Sequence, residues 1–389
     1  MGIPDNDTGQ DRGDASRHAA AAGGPGVAAP HLSAVVLAAG EGSRMRSERP
    51  KPLHRLCGKP MLTYVVESLA DVQVDRVAIV VGHKGEWVTK KMQEHALDVP
   101  VDFVEQRVQR GTGDATLVGL VGLPDEDDEG DVLVLIGDAP LLLPATIASL
   151  VDHHRSTGAA ATVLTAVMAD PTGYGRVLRG RDDRVVRIVE QRDGSPEELA
   201  VDEVNTSIYC FRRSLLAPAL RRIEPDNSQG EYYLTDVVEV LAAAGHPVEA
   251  VAVADPAETQ GINDRLQLAA AERELRRRTN ETLLGSGVTM VDPSTVYIDT
   301  TVRVGRDVTL FPGVILQGST VVGDGTELGP NTRLVDSVVG ADCVVEQTTG
   351  RNARIGDRSQ VGPYASLAPG AEVPADSVTG PFYTADPGL

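Results

Sequence analysis

The chain has 389 residues, enough for two domains with sizeable cores, and only 3% of them are aromatic, so those cores must be aliphatic. A formal charge of −20 excludes the basic stripe that a nucleic-acid surface requires, and no apolar run approaches a membrane span. Cys57, Cys210 and Cys343 are odd in number, far apart and set in or near apolar runs, which reads as buried reduced thiols rather than a disulfide or a metal site.

Residues 1–30 are rich in Gly, Ala, Asp and Pro without periodicity and lack the apolar core of a signal peptide. They are expected to be a disordered extension, and the protein is expected to be cytoplasmic. Residues 33–37 then form a short apolar run that reads as a buried strand. It leads into Leu37-Ala38-Ala39-Gly40-Glu41-Gly42-Ser43-Arg44-Met45 and, at once, Pro50-Lys51-Pro52-Leu53. Glycines after a strand let the backbone turn and bring N–H groups against a ligand. Arg44 and Lys51 add charge suited to a polyphosphate, one as a fork and one as a point charge. Neither of the common phosphate motifs is present: there is no G-x-x-x-x-G-K-[ST], and Gly40-Glu41-Gly42 lacks the third glycine of the dinucleotide fingerprint.

Further strands are expected at 76–82, 101–105 and 131–138, the last apolar on both faces and therefore central, with helices at 61–70 and 86–96 between them. Such alternation implies an α/β layered domain with a mainly parallel sheet over residues 31–262. Ligands of such sheets bind beyond the carboxyl ends of the strands, so the Gly40 loop, the Gly111 loop and Gly137-Asp138 should meet at one crevice. A carboxylate ending a buried strand needs a partner. Asp138 reads either as a ligand of Mg²⁺, which takes one or two carboxylates and fills its shell with water and phosphate oxygens, or as a cap of the following helix.

Residues 263–280 form a charged helix within a linker spanning 263–296, expected to be a solvated connector. From residue 297 the grammar changes. Val304, Leu310, Leu316, Val322, Leu328 and Leu334 recur every six residues, the phase slips once at Val339-Gly340, and the pattern resumes at Ile355, Val361, Leu367 and Val373. That is the hexapeptide signature of a β-helix, with three hexads per triangular coil. Residues 297–376 suffice for about four coils, followed by a tail at 377–389. So short a prism exposes its ends and flat faces, which favours oligomerisation.

The segment L-A-A-G-x-G-x-R-M-x(5)-P-K resembles the signature of sugar-1-phosphate nucleotidyltransferases. Ile136-Gly137-Asp138-Ala139-Pro140-Leu141 resembles the metal-binding segment of bacterial N-acetylglucosamine-1-phosphate uridyltransferases, and the likeness continues through Gly111-Thr112-Gly113, Pro171-Thr172-Gly173-Tyr174-Gly175-Arg176, Ile188-Val189-Glu190, Glu203-Val204-Asn205-Thr206, Gln229-Gly230-Glu231-Tyr232-Tyr233-Leu234-Thr235-Asp236 and Gly261-Ile262-Asn263-Asp264-Arg265. The resemblance implies a Rossmann-like nucleotidyltransferase domain followed by a short left-handed parallel β-helix. It implies Mg²⁺-dependent uridylyl transfer from UTP to N-acetyl-α-D-glucosamine 1-phosphate, and a homotrimer. By the same resemblance Arg44 and Lys51 neutralise the triphosphate and its transition state. Leu37, Ala38, Ala39, Gly40, Gln106, Gly111 and Thr112 hold the nucleotide, Gln106 and the Gly111-Thr112 backbone reading uracil. Asp138 and Asn263 hold Mg²⁺, and Gly175, Glu190 and Asn205 hold the acceptor sugar. An amide that both donates and accepts suits uracil.

The chain departs from the family in places. Asp114 stands where the family usually has His, Ser207 where it has Gly, and Ile136 where it often has an aromatic residue. These departures leave the sugar phosphate open, with another sugar or a cyclitol 1-phosphate as the alternative. Bifunctional members carry an acetyltransferase on a longer β-helix. Their R-x-R-P-G segment is Ser366-Leu367-Ala368-Pro369-Gly370 here, so no acetyl transfer is expected. A catalytically silent nucleotide-binding scaffold is the reading of another class; the joint presence of Arg44, Lys51, Asp138 and Asn263 argues against it.

Overall fold

The computed structural model describes residues 31–124 and 130–386; the expected N-terminal extension lies outside the described residues. The first layer is a sheet of β1 (Leu32–Ala38), β2 (Arg76–Val81), β3 (Val101–Glu105), β4 (Asp131–Ile136), β5 (Ala161–Val167), β6 (Arg176–Arg179), β7 (Val185–Val189), β8 (Glu203–Arg212) and β9 (Val248–Ala252). Its main path runs β9-β5-β8-β4-β1-β2-β3, with β6 pairing β8 and β7. The pairs β1–β2, β1–β4, β2–β3 and β5–β9 are parallel. β8 runs antiparallel to both of its neighbours on the path.

Helices α1 (Met61–Asp71), α2 (Gly85–Met92), α3 (Thr112–Val121), α4 (Pro144–Thr157), α5 (Arg213–Leu220) and α6 (Asp236–Ala243) cover the sheet. One core lies under α1 and α4, built on Leu62, Val66, Ile79, Leu133, Leu135 and Ile147. The other lies under α3, α5 and α6, built on Val35, Val80, Val134, Tyr209, Phe211 and Val238. Successive residues of β4 therefore alternate between two buried faces, which is why Val132-Leu133-Val134-Leu135 carries no polar residue.

The helix α7 (Arg265–Gly285) is capped by Asp264, whose carboxylate accepts from the Gln267 N–H at 2.9 Å. It corrects the expectation of a solvated connector. Leu268, Ala271 and Leu275 fall on one helical face and pack on Leu56, Cys57, Met61 and Tyr64. Glu272 accepts from the Cys57 N–H at 2.8 Å. The many charged residues of this helix hid a narrow apolar stripe. All three cysteines are buried and unpaired.

The hexad region is a prism whose three faces hold five, six and five parallel strands. It begins at Thr289–Met290, which pairs with Thr309–Leu310, and reaches Thr384–Ala385. The stack is thus about one coil taller than the sequence reading, and its outer limits fall outside 297–376. The apparent gap after Val339 is also filled. Val345 continues one column and Gly350 sits between Leu334 and Leu367 in another, so glycine replaces the expected aliphatic residue.

Next to the aliphatic columns runs a ladder of buried hydroxyls. The Thr326 hydroxyl donates to the Gly340 carbonyl at 2.8 Å and accepts from the Cys343 N–H at 3.1 Å. Thr320 and Thr332 likewise accept from Ser337 and Thr348 of the next coil. At these bends the hydroxyl serves backbone groups of the coil above, since buried N–H and C=O groups must be met. Thr326→Val keeps the shape and removes the hydroxyl; it should lower stability by about 1–3 kcal/mol in urea unfolding, while the exposed neighbour Glu327→Gln should change it by less than about 0.5 kcal/mol.

Candidate active site

The carboxyl ends of β1 and β4 lie side by side, with Leu37 opposite Ile136, and the chain leaves both toward the same crevice. After β1, Gly42 adopts φ 65°. A Cβ there would stand 2.6 Å from Lys51 Cβ, so glycine is what lets the loop close over the lysine. After β3, Gly111 has φ +110°, and an added Cβ would lie 2.5 Å from the Tyr232 carbonyl oxygen. The Gly113 N–H donates to that carbonyl at 2.8 Å and the Leu234 N–H donates to the Thr112 hydroxyl at 3.0 Å. The Gln229–Asp236 motif is thereby stitched along the head of α3.

A cavity of about 310 Å³ results. It is lined by Leu37, Ala38, Ala39, Gly40, Lys51, Gln106, Gly111, Thr112 and Asp138, together with Gln109 and Glu231. All seven residues expected to hold a nucleotide thus share one cavity with Lys51 and Asp138. Gln109, whose amide donates to the Ala39 carbonyl, and Glu231 escaped the sequence reading. Gln109 sits in a polar loop with no periodic signal, and Glu231 lay in a motif whose members had no assigned role.

At one wall of the cavity is a charged network. The Lys51 ammonium is paired with Asp138 Oδ2 and donates to Asn263 Oδ1 at 2.9 Å. Arg44 Nη2 donates to the same Asn263 oxygen at 3.0 Å. The Asp138 carbonyl accepts from the Ile262 N–H at 2.9 Å, which sets Asn263 beside the carboxylate. Arg265 Nε donates to the Met45 carbonyl at 3.2 Å and ties the start of α7 to the Arg44 turn.

Asp138 Oδ1 is buried without a hydrogen-bond partner. Among the described residues no group of three or more His, Cys, Asp and Glu could hold a metal ion. One carboxylate with an orphaned oxygen plus one amide oxygen nevertheless fits a hard divalent ion that keeps water and phosphate oxygens in its shell. The Asp138-Asn263 pair would hold such an ion, and Lys51 now bridges the same two residues as an ammonium.

The residues expected at the acceptor form a second cluster outside that cavity's lining. β8 runs against β4, so Asn205 near its start lies beyond the carboxyl end of β4. The Asn205 N–H donates to the Gly175 carbonyl at 2.9 Å. A Cβ on Gly175 would sit 3.5 Å from the Glu190 carboxylate, and the Thr235 hydroxyl donates to Glu190 Oε1 at 3.3 Å. Burial holds the Glu190 carboxyl above the usual range. Tyr174 joins the two clusters: burial raises its phenol pKa and the nearby Asp138 carboxylate raises it further. Ser207, where the family has glycine, takes φ 61° at a bulge of β8, and its N–H donates to Asn205 Oδ1 at 3.0 Å.

His54 is buried and its pKa is lowered, by burial and then by Arg265. Lys59 is not free in solvent: it pairs with Glu67 at 2.7 Å and lies over the Tyr64 ring.

The loops, the paired cation and carboxylate and the acceptor cluster beyond a mainly parallel sheet define a nucleotidyltransferase. Residues 34–237 match the family model described as MobA-like NTP transferase domain. The chain is 44% identical over 338 residues to the bifunctional protein GlmU of Caldanaerobacter subterraneus subsp. tengcongensis, covering 87% of this chain and 72% of the relative. It is 44% identical to that of Bifidobacterium longum over 90% of this chain and 76% of the relative, and 45% identical to that of Pelotomaculum thermopropionicum over 90% and 75%. The chain belongs to the GlmU family, and its activity is the sugar-1-phosphate uridyltransferase activity of that family, acting on a nucleotide and a sugar phosphate.

Asp236 opens α6 close to Glu190. Its carboxyl is pushed up to about 6 by burial first, then by Glu239, Glu190 and Asp193. The folded protein therefore binds this proton more tightly than the unfolded chain, where the value is 3.8, and stability falls as pH rises through that interval. Asp236→Asn should raise the melting temperature at pH 7.5, and the gain should shrink toward pH 4; a pH-independent gain would refute the assignment.

Proposed function

We propose that the protein transfers UMP from UTP to N-acetyl-α-D-glucosamine 1-phosphate, with Mg²⁺, giving UDP-N-acetylglucosamine and diphosphate. The observation that carries this reading is the convergence of Arg44, Lys51, Asp138 and Asn263 on one network at the wall of the nucleotide-sized cavity. The acceptor phosphate is already an anion, so its attacking oxygen needs no strong base. The new bond forms between that oxygen and the α-phosphorus, and the bond from α-phosphorus to the diphosphate oxygen breaks. Catalysis reduces to in-line positioning and neutralisation of charge. Arg44 and Lys51 carry the neutralisation on the protein side, and Gly40, which has open space where a Cβ would be, lets backbone approach the phosphates. Mg²⁺ held by Asp138 and Asn263 would supply Lewis-acid polarisation of phosphate oxygens. Gly175, Glu190 and Asn205 would bind the sugar, with Glu190 as the hydrogen-bonding group nearest Thr235.

A second acceptor is favoured by one observation. Ser207 stands where the family has a glycine beside Asn205 and puts a side chain on a backbone at φ 61°, which adds a hydroxyl on the sugar side of the site. Another sugar or cyclitol 1-phosphate is therefore the alternative substrate.

The Ser366–Leu367 strand turns Leu367 into the prism core and offers no cation to an acyl donor, which supports an enzyme without acetyl transfer. A homotrimer assembled through the prism and a cytoplasmic location, suited to three unpaired buried thiols, complete the proposal. No helix among the described residues is long and apolar enough to cross a membrane.

Diphosphate release from UTP, dTTP, CTP, ATP and GTP against a panel of sugar 1-phosphates tests the substrates directly; the highest kcat/KM should fall to UTP with N-acetylglucosamine 1-phosphate. Asp138→Asn should lower kcat by about 10²-fold or more, as expected for loss of one preorganised charge, while leaving the fold intact, as checked by a cooperative thermal melt. An unchanged rate would remove Asp138 from the metal site.

A further inference from the structure

Gln106 follows β3 and is buried; its backbone N–H donates to the Val81 carbonyl at 2.8 Å, which fixes the residue at the edge of the cavity. Its side-chain amide makes two hydrogen bonds, both through nitrogen. Nε2 donates to Asp114 Oδ2 at 2.8 Å and to the Gly111 carbonyl at 3.3 Å. The orientation of a glutamine amide is decided by its network rather than by its shape. Here the network leaves one solution. A carboxylate and a peptide carbonyl only accept, so the end of the amide facing them must be the NH₂. Both N–H bonds are then spent, and Oε1 remains, accepting from no described residue and not sealed from solvent.

We propose that Asp114 is a positioning residue for nucleobase selection: it locks the Gln106 amide so that only an acceptor is presented to the base. The inference rests on reading the 310 Å³ cavity as the nucleotide site. An acceptor in that position pairs with N3–H of uracil or thymine. Cytosine carries a lone pair at N3 and would set two acceptors against each other. The Gly111 and Thr112 N–H groups, at the head of α3, complement the carbonyl oxygens that flank N3–H. Without Asp114 only the longer bond to the Gly111 carbonyl would hold the amide, and glutamine could more readily turn over and serve either ring, the ordinary ambiguity of this side chain. Asp114 lies in the first turn of α3, where a negative charge is favourable, and it stands where relatives usually place a histidine, a group able to donate as well as accept.

The test is kcat/KM for UTP, dTTP and CTP, by diphosphate release, in the wild type and in Asp114→Ala, Asp114→Asn and Asp114→Lys, with melting temperatures measured alongside. The wild type should prefer UTP to CTP by about 10²-fold or more, since a buried polar group left unpaired discriminates strongly. Asp114→Ala should reduce that ratio by about tenfold or more while leaving UTP:dTTP unchanged, because both bases carry N3–H. Asp114→Asn should keep the wild-type ratio, its Oδ1 still accepting from Gln106. Asp114→Lys, a donor in place of an acceptor, should move the ratio toward CTP even if the alanine variant fails to fold. A UTP:CTP ratio unchanged in both the alanine and lysine variants would overturn the lock, as would an equal loss on all three nucleotides. A wild type that ignores N3–H altogether would overturn the nucleotide-site reading itself.

Discussion

A carboxylate at the end of the central buried strand is the constraint around which the rest is arranged. Asp138 follows β4, which is apolar on both faces, and an uncompensated charge there would be costly. Asp138 is held by two distant parts of the chain, one through its charge and one through its backbone. Lys51, in the loop after β1, pairs with Oδ2, and the peptide of Ile262 hydrogen-bonds to the Asp138 carbonyl. The same two contacts bring Asn263 and Arg44 into the network. One residue, through its half-buried carboxylate and its backbone carbonyl, therefore fixes the first loop, the strand end and the start of α7 relative to each other. Its second oxygen stays unmet, which fits the divalent ion proposed there.

The acceptor side depends on the direction of one strand. Because β8 opposes β4, its first residues, and not its last, reach the crevice. Asn205 meets Gly175 and Glu190 there, and the Gln229–Asp236 segment closes the gap between Glu190 and the head of α3 through Thr235, Leu234 and Tyr232. The cavity and the Glu190 cluster are thus coupled by a single stretch of chain, and the repulsive acidic group at Asp236 is a stability cost located beside the Glu190 carboxylate.

The prism solves a different problem with the same economy. Its aliphatic columns supply the apolar core, while the adjacent Thr and Ser hydroxyls satisfy backbone groups at the bends. α7 connects the two parts as a packed element, joining Cys57, Met61 and Tyr64 through a stripe of small and aliphatic residues. Tyr64 also hydrogen-bonds with Thr300, at the beginning of the coils.

Much of this was legible locally. The apolar run of β4, the glycine loops after β1 and β3, the hexad period and the chemistry of Arg44, Lys51 and Asp138 follow from residue type and spacing, which depend on neighbours in sequence, whereas the role of Gln106 came from the family resemblance. The buried stripe of α7 was obscured by its charged residues, and Gly350 concealed one step of the hexad columns, because a glycine has no side chain to report a core position. The sequence by itself determined which chemical groups are available and which loops can carry them. Only the tertiary structure decided that β8 runs backwards and delivers Asn205, that Lys51 rests on Asp138, and that Asp114 turns the Gln106 amide one way. Strand direction, the partner of a buried charge and the orientation of an amide are set by groups far away in the chain, and no local pattern encodes them.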